Sequence, residues 1–362
     1  MRRSPRPEEE HSAGEAARMA TSLPGAFIMD DGYDIVGAER RGPLFACDLR
    51  ARTYRRVQHL GISATKLAFL KCAPHLVAAA LMDGEVRVYD LRTGNMVESM
   101  KQHTAPVHSF AENADGSVLI SASPDLAAIW STHDWTKLRA LGPTNTSGPI
   151  RATVIAPDAN FVCIAFADDS IAVWDIQNFG RVAKLLLPPE EAGAGVQCIA
   201  VSTDGTQLVS AAANGCLYLW DVPTQSTVRI IDMPQPSDGV KQIALIQSNV
   251  AENLRIAAGL SIAESSVDTQ SGSAALGSAL APPAPMLVAL DHSGQLIMID
   301  LKANRPSAVF DLQAPGGTGK VVAFDVSYDA RLLVVVVDDG RMIVYDLPTA
   351  IVRHMDSMFS AS

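Results

Sequence analysis

Two short strings in the chain have residue types that could do chemistry. Residues 316–320 read Gly-Gly-Thr-Gly-Lys, as a phosphate-binding loop might. The P-loop pattern, however, needs Gly five positions before the last Gly and Ser or Thr after the Lys, and these positions hold Ala314 and Val321. Residues 291–294 (Asp-His-Ser-Gly) place three triad-type residues in a row, whereas a triad needs residues that converge from separate elements. We therefore predict a flexible link for the first string and a hairpin turn for the second.

The spacing of the histidines and cysteines does not match the patterns typical of metal sites or redox-active thiols. His103 and His108 lie close together but lack the further ligands that a zinc site needs. The five cysteines form no C-x-x-C pair and lie mostly in apolar runs: Cys47, Cys72, Cys163, Cys198 and Cys216. This pattern indicates reduced, packed thiols. We expect no metal, no cofactor and no small-molecule substrate.

Three other features leave two interpretations open. The carboxylate pairs Asp168-Asp169 and Asp338-Asp339 occupy equivalent places between apolar runs, where they are either solvated turn residues or contacts for a cation or a basic peptide. Trp135 follows an apolar run and is either an anchor for a partner or a packed outer-strand residue, because Trp is enriched among interface hot spots.

Composition limits the class of partner. The 362 residues carry a formal net charge of −10, with 48% hydrophobic and 19% charged residues. A negative average charge argues against nucleic acid or an anionic membrane as the main partner. The polar N-terminus has no apolar signal region, and the apolar runs, such as residues 332–337, are far too short to cross a bilayer. We expect other proteins as partners, with no nucleic acid and no membrane insertion.

The chain repeats one pattern: apolar runs separated by polar turns, the last run closing on an aromatic residue followed by Asp. The closing pairs are Cys47-Asp48, Tyr89-Asp90, Trp130-Ser131, Trp174-Asp175, Trp220-Asp221, Ile299-Asp300 and Tyr345-Asp346. They recur every ~40–46 residues, apart from one gap of roughly twice that length, and such a period is typical of propeller blades. Two turn signals per repeat, such as Asp115-Gly116 and Asp83-Gly84, indicate at least three strands per unit, with an outer strand after each closing pair.

The predicted fold is all-β, a single seven-bladed propeller. We expect a disordered tail at residues 1–23, the propeller at 24–356 and a short tail at 357–362. The predicted blades are 24–60, 61–100, 101–142, 146–187, 193–233, 239–312 and 317–356. A stretch rich in Ala, Ser, Gly and Pro at about 250–285 is predicted to be a disordered insertion in blade six, and it accounts for the doubled gap.

These repeats resemble the WD-repeat (WD40) family over nearly all of residues 24–350. The resemblance implies a hydrogen-bonded tetrad of His, Ser or Thr, Asp and Trp in a blade, for which blade three supplies His103, Ser121, Asp125 and Trp130. The usual Gly before the His is Gln102, and blades four and five lack the His. Packing between sheets is therefore expected to supply most of their rigidity.

A narrower resemblance is to the amino-terminal propeller of the WD-repeat member of the TBC-domain family, a scaffold of the centrosome and ciliary base. The segments that show this resemblance are residues 123–130, 168–174, 228–234 and 240–243. The resemblance implies a cytoplasmic protein at the centrosome, centriolar satellites or cilium. A TBC module would follow the propeller, but nothing after Met355 is long enough to contain one. We therefore expect a fragment or truncated product without GTPase-activating function.

A rival resemblance concerns Tyr89-Asp90-Leu91-Arg92. It is similar to the box by which some WD-repeat substrate receptors dock onto the adaptor of cullin-type ubiquitin ligases, which implies docking through Asp90 and Arg92. The closing pairs of blades four and five lack the Arg and have Gln177 and Pro223 instead.

The favoured function is a non-catalytic protein-interaction scaffold, because a rigid ring with many variable loops can hold several partners. The candidate partner-binding loops are those with Asp83, Asp125, Asp169 and Asp339. An enzyme at the central channel is the third class considered, and no residue supports it. The alternative to the scaffold is the ubiquitin-ligase substrate receptor.

Overall fold

The computed structural model describes residues 27–28, 34–38, 43–48, 53–143, 148–178, 180–188, 193, 195–202, 204–233, 239–246, 286–301, 305–310, 320–326, 332–337, 342–346 and 351–356. Within these residues the chain forms seven four-stranded sheets, each built from strands that follow one another along the chain.

The first four sheets have the following strands. Sheet 1 contains β1 (Phe27–Ile28), β2 (Asp34–Ala38), β3 (Pro43–Asp48) and β4 (Thr53–His59). Sheet 2 contains β5 (Ala64–Phe69), β6 (Leu76–Leu81), β7 (Glu85–Asp90) and β8 (Met96–Lys101). Sheet 3 contains β9 (Ser109–Glu112), β10 (Val118–Ser123), β11 (Leu126–Ser131) and β12 (Lys137–Leu141). Sheet 4 contains β13 (Ile150–Ile155), β14 (Phe161–Phe166), β15 (Ser170–Asp175) and β16 (Arg181–Leu186).

The last three sheets continue the pattern. Sheet 5 contains β17 (Val196–Val201), β18 (Gln207–Ala212), β19 (Cys216–Asp221) and β20 (Ser226–Asp232). Sheet 6 contains β21 (Val240–Ile246), β22 (Met286–Asp291), β23 (Leu296–Asp300) and β24 (Arg305–Phe310). Sheet 7 contains β25 (Val321–Val326), β26 (Leu332–Val337), β27 (Met342–Asp346) and β28 (Ile351–Asp356).

The first strand of each sheet lies beside the first strand of the next sheet, from β1 and β5 through β21 and β25, and β25 in turn contacts β1. Side chains connect several of these inner strands at the period of the repeat. Thr65 donates to the carbonyl of Val107, and His108 Nε2 lies 3.2 Å from the carbonyl oxygen of Ile150. The architecture is an all-β propeller, which confirms that part of the predicted fold.

Burial along the strands explains their composition. In β6 every residue after Leu76 is buried, and all six residues of β22 are buried, because neighbouring sheets cover both faces. The outer strand β16 instead alternates at its end, with Ala183 and Leu185 buried and Lys184 and Leu186 exposed. Continuous apolar runs thus mark the middle strands, and mixed runs mark the outer strands.

Six hydrophobic clusters fill the spaces between consecutive sheets from sheet 1 to sheet 7. Between sheets 3 and 4, for example, Ile120 and Ile129 pack against Val162 and Ile164, and all four are fully buried. The side chains of β1 and β2 lie outside the described residues. Burying each such side chain contributes roughly 1.5–3 kcal/mol, so this packing is the main stabilising contribution to the fold.

Each outer strand from β8 to β20 contains a β-bulge at the same place. The register shifts beside the aromatic residue of the third strand, between Ile129 and Trp130 in sheet 3 and between Val173 and Trp174 in sheet 4. One residue of the outer strand is left unpaired as a result. These extra residues are Val97, Leu138, Val182 and Val228 in sheets 2 to 5.

Several predictions concern segments outside the described residues: the tails, the insertion at about 250–285 and the phosphate-loop-like string up to residue 319. Residues 291–294 do form the predicted hairpin turn, between β22 and β23, with Gly294 at φ +89°. Among the described residues, no helix has the length and hydropathy needed to cross a membrane.

Gly116 provides a test of the close approach between sheets 2 and 3. It has φ +71°, and a Cβ atom there would lie 2.3 Å from the backbone nitrogen of Cys72. Gly61 has φ +72° with nothing within 4 Å of the same position. We expect Gly116→Ala to lower the free energy of unfolding by roughly 3 kcal/mol or more, and Gly61→Ala by about 1 kcal/mol, since only the first adds a backbone clash.

Urea unfolding of the two variants measures this difference. Equal losses would contradict the close approach between the sheets.

Candidate functional site

A buried chain of hydrogen bonds in sheet 3 contains the four tetrad residues. Trp130 Nε1 donates to Ser121 Oγ at 2.9 Å, and Ser121 Oγ lies 2.7 Å from His103 Nε2. On the other side of the imidazole, His103 Nδ1 lies 2.7 Å from Ser123 Oγ, which donates to Asp125 Oδ1 at 2.5 Å. The structure therefore brings His103, Ser121, Asp125 and Trp130 into one network.

The network runs through a residue that the sequence analysis did not single out. His103 reaches Asp125 through Ser123, and Thr104 Oγ1 donates to the second oxygen of Asp125 at 2.6 Å. Ser121 and Ser123 are two residues apart on β10, so their side chains point to the same face of the strand. The pattern Ser-x-Ser in a buried strand, preceded by His, was the available signal.

The donors and acceptors fit a neutral imidazole. Trp130 supplies the proton accepted by Ser121, so the Ser121 hydroxyl is left to donate to His103 Nε2. His103 Nδ1–H then donates to Ser123, whose hydroxyl donates to Asp125. A second proton on Nε2 would leave the Ser121 hydroxyl without its acceptor. Burial lowers the pKa of His103 to about 4, because the effect of burial outweighs the opposite effect of the nearby Asp125 carboxylate.

Asp125 is the charged end of this chain. Burial alone would raise the pKa of its carboxyl, but hydrogen bonds from Ser123 and Thr104 outweigh that effect and lower it. Both carboxylate oxygens are therefore used within the blade. The geometry gives Asp125 a structural role in the turn between β10 and β11.

Sheets 4 and 5 show what happens when parts of the network are missing. In sheet 5, Trp220 Nε1 donates to Ser210 Oγ at 2.8 Å, which repeats the bond between Trp130 and Ser121. In sheet 4 the matching position holds Ile164. Among the described residues, Trp174 Nε1 is the one buried side-chain nitrogen or oxygen with no hydrogen-bond partner.

The candidate partner-binding aspartates Asp83, Asp125 and Asp169 lie in the turns between the second and third strands of sheets 2, 3 and 4. They therefore share one face of the propeller. Asp83 is exposed and accepts the backbone N–H of Glu85 at 3.1 Å. Asp339, in the corresponding turn of sheet 7, lies outside the described residues.

Asp169, one of the predicted partner-binding residues, uses both carboxylate oxygens for hydrogen bonds within the chain. Its side chain is buried, and its two oxygens accept the backbone N–H groups of Gly193 and Gly195, at 2.5 and 2.6 Å. Its φ of +66° is unusual for a residue other than Gly. Asp169 thus holds the segment that enters sheet 5 through these two hydrogen bonds.

A second buried carboxylate was missed by sequence reasoning. Glu85 begins β7, accepts a hydrogen bond from Arg87 Nη2 at 2.7 Å and accepts the hydroxyl of Ser99. Arg87 also donates to the carbonyl of Leu60 at 3.2 Å, where sheet 2 begins. The hydrogen bond from Arg87 lowers the pKa of Glu85, so this buried group stays charged.

The docking-type residues Asp90 and Arg92 lie at the end of β7. Asp90 Oδ1 accepts the backbone N–H of Arg92 at 2.8 Å and lies 3.6 Å from Arg92 Nε. The Arg92 side chain is 67% exposed. Asp90 therefore caps the turn between β7 and β8, while the guanidinium group of Arg92 points toward solvent.

Trp135 is half-buried and packs against the cluster between sheets 2 and 3, with φ +56° in the turn before β12. This placement supports the packed interpretation. Among the described residues there is no group of three or more His, Cys, Asp or Glu side chains arranged to hold a metal ion. The thiols of Cys163 and Cys198 have a pKa raised by burial to about 12.

Comparisons with known proteins agree with the propeller. Residues 188–221, which include β17, β18 and β19, match the family described as WD domain, G-beta repeat. The chain is 26% identical to TBC1 domain family member 31 of Homo sapiens over 212 residues, which are 59% of this chain and 20% of the human protein. It is 23% identical to TBC1 domain family member 31 of Xenopus laevis over 312 residues, 86% of this chain and 26% of that protein.

A different protein matches a shorter segment. Autophagy-related protein 16 of Arabidopsis thaliana is 27% identical over 144 residues, 38% of this chain and 27% of that protein. The chain spans only 20–26% of the length of the human and Xenopus laevis relatives. The predicted resemblance to WD-repeat proteins, and to the WD-repeat member of the TBC-domain family, is confirmed.

Replacing each of two tryptophans by Phe tests the broken network in sheet 4. Trp220→Phe removes a buried hydrogen bond and leaves Ser210 Oγ without its donor, whereas Trp174→Phe removes no hydrogen bond. We expect Trp220→Phe to lower the free energy of unfolding by roughly 1–2 kcal/mol more than Trp174→Phe. Urea denaturation measures both. A larger loss for Trp174→Phe would contradict the assignment.

The neutral His103 predicts a dependence of stability on pH. Its folded pKa of about 4 lies below the ordinary value of 6.5, so the unfolded state binds more protons between these values and stability falls as pH falls. The loss amounts to roughly 3 kcal/mol over that window. Burial also lowers the pKa of His108, which adds to the same trend.

Urea unfolding at pH 7 and pH 4.5 tests this. His103→Gln is expected to be less stable at pH 7 but to lose less on acidification, and the exposed His133→Gln serves as the control. A wild-type slope retained in His103→Gln would contradict the neutral network.

Proposed function

We propose that this chain is a non-catalytic protein-interaction scaffold, the WD-repeat part of a protein like TBC1 domain family member 31. The observation that carries the proposal is the similarity to that relative along most of the propeller, up to 86% of this chain. WD40 propellers are typically interaction folds, and the loops that join their strands supply the binding surfaces.

We further propose that the seven sheets close as one seven-bladed ring. The contact between β25 and β1 and the six clusters between consecutive sheets support this arrangement. A closed ring presents two faces and an outer wall, each built from equivalent positions of successive sheets. Such a body can hold several partners without changing its own shape.

The proposed location is the cytoplasm, at the centrosome, centriolar satellites or ciliary base, with centrosomal, ciliary or trafficking proteins as partners. Support comes from the resemblance of residues 123–130, 168–174 and 228–234 to the centrosomal member of the TBC-domain family. The chain spans only a fifth to a quarter of the length of those relatives. An activity of the full-length relatives could therefore be assigned to this chain only as a proposal.

A second function is supported by Arg92. Its exposed guanidinium beside the turn-capping Asp90 matches the docking box of substrate receptors for cullin-type ubiquitin ligases. Under this alternative the propeller would bind the ligase adaptor through Arg92 and substrates through another surface. Arg181, an exposed arginine on β16, has no place in that box and offers a matched control.

Proximity labelling tests the scaffold proposal. We expect a biotin-ligase fusion of the chain to label centriolar-satellite or basal-body proteins above a fusion that carries the destabilising Gly116→Ala substitution. Recovery of no centrosomal or ciliary protein would refute the proposed location.

Co-purification with the ligase adaptor separates the two functions. The receptor alternative predicts adaptor binding that Arg92→Ala abolishes and Arg181→Ala leaves intact. The scaffold proposal predicts no stable adaptor complex with any of the three proteins.

A further inference from the structure

The outer wall of the propeller carries a row of exposed aliphatic side chains. Val182 and Leu186 on β16 are each 58% exposed, Val228 on β20 is 54% exposed and Ile230 is 41% exposed. Leu138 on β12 continues the row with 44% exposure. Scattered single apolar residues are ordinary on a surface, but these five occur on the outer strands of three successive sheets.

Three members of the row occupy one repeated position. Leu138, Val182 and Val228 are each the unpaired residue of the β-bulge beside the tryptophan of the preceding strand. Each bulge leaves this residue without an opposite partner in the ladder, and all three side chains are exposed. The exposed aliphatic side chains Leu138, Val182 and Val228 therefore occupy equivalent positions on the outer strands of three successive sheets.

The charges along the same strands have one sign. The basic residues of β12, β16 and β20 are Lys137, Arg139, Arg181, Lys184 and Arg229. The one acidic residue on these three strands is Asp232, at the end of β20. This is the opposite of the chain as a whole, whose formal net charge is −10. We call these five cations, together with Leu138, Val182, Leu186, Val228 and Ile230, the basic aliphatic belt.

The acidic groups near the belt are largely engaged elsewhere. Asp134, Asp175 and Asp221 precede the outer strands, and each accepts a backbone N–H of its own turn. Lys184 Nζ lies 3.4 Å from Asp168 Oδ2, and Lys137 Nζ donates to the neutral amide oxygen of Gln102 at 2.6 Å. Arg229 Nη1 donates to the carbonyl of Leu301 at 2.7 Å, and basic residues outnumber carboxylates along the three outer strands.

We propose that the basic aliphatic belt is a docking surface for an acidic amphipathic helix of a partner protein. The proposal deepens the scaffold function and rests on it. The aliphatic row would receive the apolar stripe of the helix, and Arg181 and Lys184 would pair with Glu or Asp side chains that flank the stripe. Charge complementarity selects an acidic partner over a basic one.

Two other occupants fit the surface less well. An added β-strand needs an uninterrupted edge, and the bulges at Leu138, Val182 and Val228 interrupt each outer strand. A second copy joined through the same belt would place Lys and Arg opposite Lys and Arg, because a two-fold interface brings a patch onto itself. A helix contacts the belt through side chains alone and avoids both problems.

A display selection tests the proposal with the full chain. A library of randomised helical peptides is selected on the wild-type protein, and the retained peptides are then compared on a Val182→Ser/Val228→Ser variant, whose folding is checked by circular dichroism and thermal melting. We expect the retained peptides to carry Glu or Asp with apolar residues at helical spacing. Their binding is then measured by fluorescence anisotropy.

The expected pattern has three parts. Binding of the retained peptides weakens roughly tenfold or more in Val182→Ser/Val228→Ser and in Arg181→Glu/Lys184→Glu, because each variant removes one half of the recognition. It weakens as salt rises from about 0.1 M to about 0.5 M. Met82→Ser, an exposed apolar residue on a turn away from the outer strands, leaves the affinity unchanged.

Other outcomes overturn the proposal. Selection of basic or neutral peptides, or of none that distinguishes the variant, rejects an acidic helix. Dimerisation of the wild-type chain that Val182→Ser/Val228→Ser abolishes, seen by light scattering, assigns the belt to a second copy. Peptides that bind both proteins equally place recognition on another surface, so that the belt is rejected while the scaffold function stands.

Discussion

Every sheet in this protein depends on its neighbours to keep water from its two faces. A four-stranded sheet whose middle strands read Leu-Val-Ala-Ala-Ala-Leu, as β6 does, has no polar face to present to solvent. The clusters between consecutive sheets remove that surface from water, and at about 25 cal/mol per Å² of apolar area this burial outweighs any single polar interaction in the chain. The small alanines of β6 let the sheets approach closely, and glycines such as Gly116 do the same for the turns.

Among the described residues, buried side-chain polar atoms are hydrogen-bonded, with Trp174 Nε1 as the exception. The chain from Trp130 to Asp125 is complete, because each donor meets an acceptor and the imidazole of His103 stays neutral. Sheet 5 keeps one bond of that chain and sheet 4 keeps none, yet both sheets have the same four-stranded form. The tetrad therefore adds to the stability of one blade, and apolar packing gives all blades their shape.

The repeat could be predicted from the sequence because each blade is built from consecutive strands, so its strand and turn residues recur along the chain. Aromatic-Asp pairs and Asp-Gly turns recur at a fixed period, and they predicted an all-β propeller and the turn at residues 291–294. Individual side chains were harder to predict. Asp169 looks like a solvated turn residue in sequence, but the loop of Gly193 and Gly195, 24 and 26 residues later, folds over its carboxylate. The role of Ser123 likewise depends on which face of β10 meets His103, and strand alternation alone does not identify that partner.

The surface follows from the same repetition. Because each outer strand bulges beside the same aromatic residue, the fold exposes an equivalent side chain on every sheet from 2 to 5, and in this chain all four are aliphatic. Under the proposed scaffold function, this one position of the repeat would supply an apolar binding row, with charge from the residues on either side. Asp83 and the Arg92 side chain are exposed elsewhere on sheet 2.

Small-angle X-ray scattering of the full chain tests the shielding of each sheet by its neighbours most directly. A closed propeller predicts a single-peaked distance distribution and a radius of gyration a little above ~21 Å, the value for a compact chain of this length. A broad distribution with a long tail, from an open and extended array of sheets, would contradict the account.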